Sequence, residues 1–237
     1  MRSLGCTCQS LCNSVITRPG SIQLILILVP VNSIRSASDS ASIANLVAAT
    51  DHTVILKMDG TVVGAGSNSF SQLGMGSFDE INTFTQIADN VKAIAAGRAH
   101  TLMLKNDNTV WACGFNSNGQ IGVLNQAFAR NFIKVADNAA AIAAAKEGDN
   151  SFIIKTDGTL LGSGKNYYGQ LGDAGATDAA SWKEITTEVK AVSAGIAHTI
   201  ILKTSGKLQA SGNNNAGQLG TGTVDAGSRV FIDVLVP

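Results

Sequence analysis

A metal site or a catalytic centre in this 237-residue chain would have to be drawn from three histidines, four cysteines and a recurring run of Gly, Asn and Gln. His52, His100 and His198 are the only imidazoles. A ring of them is a start towards a zinc site, but no carboxylate or thiol recurs with them to complete a ligand shell. They occupy one position of an internal repeat, filled by Asn150 in the third copy, so a structural role is expected and His100→Asn is expected to be tolerated. Cys6, Cys8 and Cys12 have C-x-C-x3-C spacing without a His or fourth Cys beside them. Cys113 has Ala65, Ser163 and Ser211 as counterparts, which asks for a small side chain rather than sulfur chemistry. No Ser-His-Asp or Cys-His set stands apart from the repeat. The glycine-rich runs are unlike phosphate loops, since no Lys-Ser or Lys-Thr follows them and no helix is expected after them. The expectation is a protein that is not an enzyme, with no catalytic residue, no cofactor and no metal.

The repeat itself carries the information about fold. G-x-N-x-x-[GS]-Q-[LI]-G begins at Gly66, Gly114, Gly164 and Gly212, and each motif Gln (Gln72, Gln120, Gln170, Gln218) lies 20 residues after His52, His100, Asn150 or His198. A period near 50 residues is one supersecondary unit copied along the chain. Within the second copy, the apolar runs from His100 and from Thr109 flank Asn106, Asp107 and Asn108 and read as a hairpin. The other copies place Asp59-Gly60, Asp157-Gly158 and Ser205-Gly206 at the turn, residues that accept the positive φ of a tight primed turn. An apolar segment upstream, such as the one from Val91, and one downstream, such as that from Phe132, bring the count to four strands per repeat. The Ala-rich run from Asp137 has the intrinsic propensity of a helix, but its counterparts from Asp89 and Thr187 alternate, so a strand is expected there too. Small residues at that position suit an inner strand crowded near an axis.

Four-stranded units at this period predict an all-β fold, a β-propeller whose radial packing buries both faces of each blade. The combination of A-x-G-x-x-H-T, L-K-x-D-G-T-V and the Gly/Asn/Gln motif resembles the regulator of chromosome condensation repeat over residues 45–237. The resemblance implies four four-stranded blades of a ring that typically has about seven, hence a partial propeller or open arc. Its terminal blades would expose apolar faces, so a stable open monomer is not expected. A pair of arcs, a fragment of a larger propeller and a closed four-bladed ring all stay open. The resemblance also implies binding functions of unlike kinds, among them guanine nucleotide exchange on a small GTPase and inhibition of β-lactamase.

Outside the repeats lie a leader, residues 1–38, and a linker, residues 39–44. The leader holds Arg2, Arg18 and Arg35 and no acid, which leaves 14 Lys and Arg against 17 Asp and Glu, or minus three, for the remainder. With no cluster of Lys and Arg, nucleic-acid binding is not expected. The apolar run from Ile22 to Val31 is too short for a stable membrane span of about 20 residues and fits the core of a signal peptide. A secreted or periplasmic protein is the favoured reading. A mitochondrial or cytoplasmic one stays open, because the same composition suits a transit peptide or a misassigned start.

Shared residues are explained by structure, so partner recognition is expected where the copies differ. The loop after the third strand varies freely and carries Phe78 in the first copy, Phe128 in the second, and Tyr167 and Tyr168 in the third. The copy-to-copy spacings of 48, 50 and 48 also locate a two-residue insertion between Ala143 and Asp149, at Lys146 and Glu147. With Arg98 on the equivalent turn of the second copy, these seven residues form the candidate partner-binding rim at one end of the blades. The chain is thus expected to be a non-enzymatic scaffold that binds another protein. Guanine nucleotide exchange on a small GTPase is the alternative.

Overall fold

The computed structural model describes residues 43–235. All their regular structure is β. Strands β1 (Ile43–Ala48), β2 (His52–Lys57), β3 (Val62–Gly66) and β4 (Ile81–Ala88) make the first blade, and β5 (Val91–Ala96), β6 (His100–Lys105), β7 (Val110–Phe115) and β8 (Phe128–Ala136) the second. The third comprises β9 (Ala139–Ala144), β10 (Asn150–Lys155), β11 (Leu160–Gly164) and β12 (Ala179–Thr186). The fourth comprises β13 (Val189–Ala194), β14 (His198–Lys203), β15 (Leu208–Asn214) and β16 (Asp225–Asp233). Each blade is an antiparallel sheet in sequence order. Strand β1 takes in Ile43 and Ala44, which the sequence reading assigns to the linker. The leader and its cysteines lie outside the described residues. No helix here is long and apolar enough to cross a membrane.

The Ala run forms β9, because pairing with β10 and the packing of its small side chains near the axis outweigh the local preference for helix. The inner strands touch in succession, β1 to β5, β5 to β9 and β9 to β13, and among the described residues no contact of comparable extent returns from β13 to β1. The arrangement is an open arc.

Its core lies between the blades. Val54, Leu56, Val62 and Leu73 of blade 1 pack on Val91, Ile94 and Met103 of blade 2. Comparable clusters join blade 2 to blade 3 around Leu102 and Ile153, and blade 3 to blade 4 around Phe152 and Ile201. Each junction is a separate apolar interface between neighbours, as in repeat architectures generally.

The hairpin turns differ from the primed type expected. In each, one bond closes a type I turn (Gly60 N to Lys57 O, 3.1 Å) and a second resumes the ladder (Lys57 N to Thr61 O, 2.8 Å). Only one residue per turn has positive φ, namely Gly60, Asn108, Gly158 and Gly206. This is the three-residue loop with a left-handed third residue. Asp59, Asp107 and Asp157 sit in the αR part of the loop and accept the amide of the Thr two residues on. That hydrogen bonding holds their carboxyls below the ordinary range.

Candidate functional site

The Gly/Asn/Gln motif builds the loops on which the candidate rim rests. Each motif Asn uses its amide oxygen to accept the amide of the Leu or Ile five residues on, at 2.9–3.0 Å, for Leu73, Ile121, Leu171 and Leu219. Its amide nitrogen donates back across the loop, Asn68 to the Ser77 carbonyl and Asn116 to those of Val123 and Gln126. Each motif Gln accepts the backbone N–H two residues before it, those of Phe70, Asn118, Tyr168 and Ala216. The residue two after the motif Asn is thereby fixed at the loop's crest. It is Phe70 in blade 1 and Tyr168 in blade 3.

The last Gly of the motif faces the outer strand of the next blade. A Cβ there would collide with Phe132 at Gly74, with Trp182 at Gly122 and with Phe231 at Gly172. These three aromatics hold equivalent places on β8, β12 and β16, so every junction seats a ring on a glycine of the preceding blade.

The histidines form a second recurring junction contact. His52 Nε2 lies 3.0 Å from Thr101 Oγ1, and Thr101 donates its only hydroxyl proton to the Gln72 carbonyl at 2.6 Å. His52 is therefore the donor from Nε2. His100 Nε2 faces Ser151 Oγ at 2.7 Å across the next junction. Burial pushes the imidazolium of His52 down to about 4 and that of His100 to about 3, so both rings are neutral at physiological pH. At the third junction Asn150 does not reach Thr199, and both its amide atoms, with Thr199 Oγ1 and Ser211 Oγ, are buried without a partner. Cys113 is buried and its Sγ faces the Gln72 carbonyl, with burial pushing the thiol up and away from reactivity.

All seven candidate residues emerge at the end of the sheets where the first turn and third loop of each blade meet, tied by bonds such as Ser67 N to Asp51 O and Lys165 N to Asp149 O, each 2.8 Å. Phe78 and Phe128 join Phe70 and Phe115 in one cluster spanning blades 1 and 2, with centroid separations of 5.2–6.2 Å. The Arg130 guanidinium lies over the Phe78 ring at 4.5 Å. Tyr167 and Tyr168 pair edge to face at 4.9 Å on blade 3, with Tyr167 67% exposed. No ring contact joins the two groups among the described residues.

The insertion turn occupies the axial side of the same rim. Asp149 is buried, and its carboxylate receives Arg98 Nε at 3.2 Å, Asn118 Nδ2 at 3.1 Å and Gln120 Nε2 at 3.4 Å. The turn also reaches past blade 2, since the Lys146 carbonyl accepts Thr50 Oγ1 of blade 1 at 3.3 Å. Lys146 and Glu147 project to solvent beside a concave space of about 470 Å³ lined by small apolar residues of the inner strands, among them Ala95, Ala144 and Ala194. Arg98 thus serves in part to anchor the turn. Sequence reasoning missed Phe115, Asn118 and Asp149. For two of them a signal was present: Phe115 stands where the other copies have Ser67, Lys165 and Asn213, and Asp149 stands where two of them have Ala99 and Ala197.

A family model for the regulator of chromosome condensation (RCC1) repeat matches residues 91–120 and 189–218, which are the second and fourth copies. Among solved structures, yeast RCC1 (Prp20) bound to Kap60 is similar with a TM-score of 0.72 and 22% identity, over 82% of this chain and 49% of that one. Prp20p from Saccharomyces cerevisiae, described with its binding to Gsp1p and histones, gives 0.69 and 22% over 82% and 50%. Human WBSCR16 gives 0.72 and 19% over 82% and 53%. The chain therefore spans about half the length of these structures. No curated protein sequence matches it significantly. At these identities the likeness establishes the fold, and the chain is an arc of blades of regulator of chromosome condensation type.

Proposed function

We propose that this chain, built of regulator of chromosome condensation repeats, is a non-enzymatic scaffold that binds another protein through its loop rim. The observation carrying the reading is the aromatic cluster of Phe70, Phe78, Phe115 and Phe128 under Arg130. Three of its rings are more than a third exposed although the cluster spans a blade junction. Rigid aromatics beside an Arg are the side chains that dominate protein interfaces, because they bury large area with little loss of conformational freedom. The loop hydrogen bonds hold that surface in place before any partner arrives, which lowers the ordering cost of binding. The rim mixes Arg98, Arg130 and Lys146 with Glu147 and Asp79, and this balance suits a protein better than a polyanion.

Affinity capture with the immobilised 237-residue chain tests the reading. A partner retained by the wild type should be lost, or bound at least tenfold more weakly, by Phe78→Ala/Phe128→Ala with its melting curve unchanged. Equal retention by both proteins would remove the rim from the account. The alternative, nucleotide exchange on a small GTPase, is supported by the likeness to Prp20p, which binds Gsp1p. Accelerated release of fluorescent GDP from such a GTPase in the presence of the chain would favour it over a passive scaffold.

A further inference from the structure

The three junctions inside the arc share one apolar and aromatic pattern, and the two ends of the arc display its separate halves. The leading half of a junction belongs to the earlier blade: a His at the first two junctions (Asn150, without the polar contact, at the third), an apolar row from the second and third strands, and the motif's last Gly. The receiving half belongs to the later blade: a Thr or Ser hydroxyl, an apolar residue two positions further along the same strand, and an aromatic ring on the outer strand. At the first junction these halves are His52, Val54, Leu56 and Gly74 against Thr101, Met103 and Phe132.

Blade 1 carries a receiving half with nothing described against it. Thr53 and Ile55 are half-buried, whereas their counterparts Thr101 and Met103 are fully buried. Phe84, in the place of Phe132, Trp182 and Phe231, is 54% exposed. Leu46 is 55% exposed where Ile94, its counterpart, is buried. Blade 4 carries the matching leading half. Among the described residues His198 has no hydroxyl opposite it, and Ile200, Leu202 and Leu208 are partly exposed where the corresponding residues of the three earlier blades are buried. Gly220 keeps the left-handed φ of +65° and has no ring on it; the chain's own Val234 side chain lies against it, in the place where the other three glycines seat an aromatic of the next blade.

We propose that these ends are the two halves of one interface, and that a second copy of the chain joins the first head to tail, with Phe84 of one copy seated on Gly220 and His198 donating to Thr53. The occupant is specified by the faces themselves, because each lacks what the other displays and the pairing continues the contacts that already join the blades. Two copies related by a twofold axis make the junction twice and close a ring, leaving neither half exposed. This surface is distinct from the loop rim and does not depend on the rim's function.

The 237-residue chain is tested by light scattering coupled to size-exclusion chromatography, with two single variants chosen at exposed or left-handed positions. Phe84→Asp spoils only the receiving half. Gly220→Asn spoils only the leading half, since Asn tolerates the left-handed conformation while filling the seat. The wild type should run at twice the mass of one chain, and each variant alone as a monomer with unchanged melting of its far-UV signal. An equimolar mixture of the two variants should again form dimers, because Phe84→Asp retains an intact tail and Gly220→Asn an intact head. A monomeric wild type at tens of micromolar would overturn the proposal, and so would variants that dimerise as well as wild type. If the folded variants are monomeric and fail to recombine, the contact is not head to tail. Should either variant lose its folded signal, His198→Ala and Thr53→Val are used in the same mixing experiment, with the same outcomes decisive.

Discussion

At the scale of single residues, the histidines act through neutrality. His52 and His100 sit in closed junctions where an imidazolium would be stripped of water and face a hydroxyl, and burial, offset only in part by Asp51 at His52, lowers their affinity for protons well below that of an unfolded chain. The unfolded chain therefore takes up protons as pH drops below about 6.5, while the folded one does not until near 4 for His52 and 3 for His100. Their contribution to stability is complete above that unfolded value and declines as pH falls from it towards the folded values. Each adds a slope of about 1.4 kcal/mol per pH unit in that window. Chemical denaturation at pH 7 and pH 5 should show a marked loss of stability, and His100→Asn should remove about half of the difference. The structure also changes the expected cost of that substitution. Asn150, which already stands at this position, leaves its amide and Thr199 unpaired, so His100→Asn should destabilise by about 1–3 kcal/mol rather than be tolerated. The structural role of the histidines was legible in their repetition. Their hydroxyl partners were not, because Thr101 and Ser151 follow His100 and Asn150 of their own blades yet serve the histidines of the preceding ones.

At the scale of elements, the loop motif was legible as a backbone device, and its bonds are more specific than the sequence allowed. Asn, Leu or Ile, and Gln lock one another so that the crest residue is presented outward. Asn166 shows the arrangement in blade 3, accepting from Leu171 at 2.9 Å while donating to Asp173 at 2.7 Å. Asn166→Ala should cost about 1–3 kcal/mol in urea denaturation, because it leaves the buried Leu171 amide without an acceptor. A change within a few tenths of a kcal/mol would show that the loop is held by packing alone. The β9 strand was legible only by aligning it with its counterparts, since the Ala run in isolation favours helix. The hairpin turns were legible as turns but not as to type, since Asp-Gly serves both a primed turn and a type I turn ending in a left-handed residue.

At the scale of the whole molecule, four blades form an arc whose shared residues are consumed by junctions and loops and whose seven candidate rim residues emerge at one end. That end was legible from topology, because a first turn and a third loop of an antiparallel blade must emerge together. The clustering of Phe70, Phe78, Phe115 and Phe128 was not, since it joins two blades whose angle no single repeat encodes. The most direct measurement is hydrogen–deuterium exchange of the chain with and without its captured partner. The account predicts slowed exchange in the third-strand loops, residues 67–80, 116–127 and 165–178, and in the insertion turn, residues 145–149. Exchange should be unchanged in the hairpin turns at the opposite end, residues 58–60, 106–108, 156–158 and 204–206. Protection confined to those hairpin turns, with the aromatic loops unaffected, would contradict it.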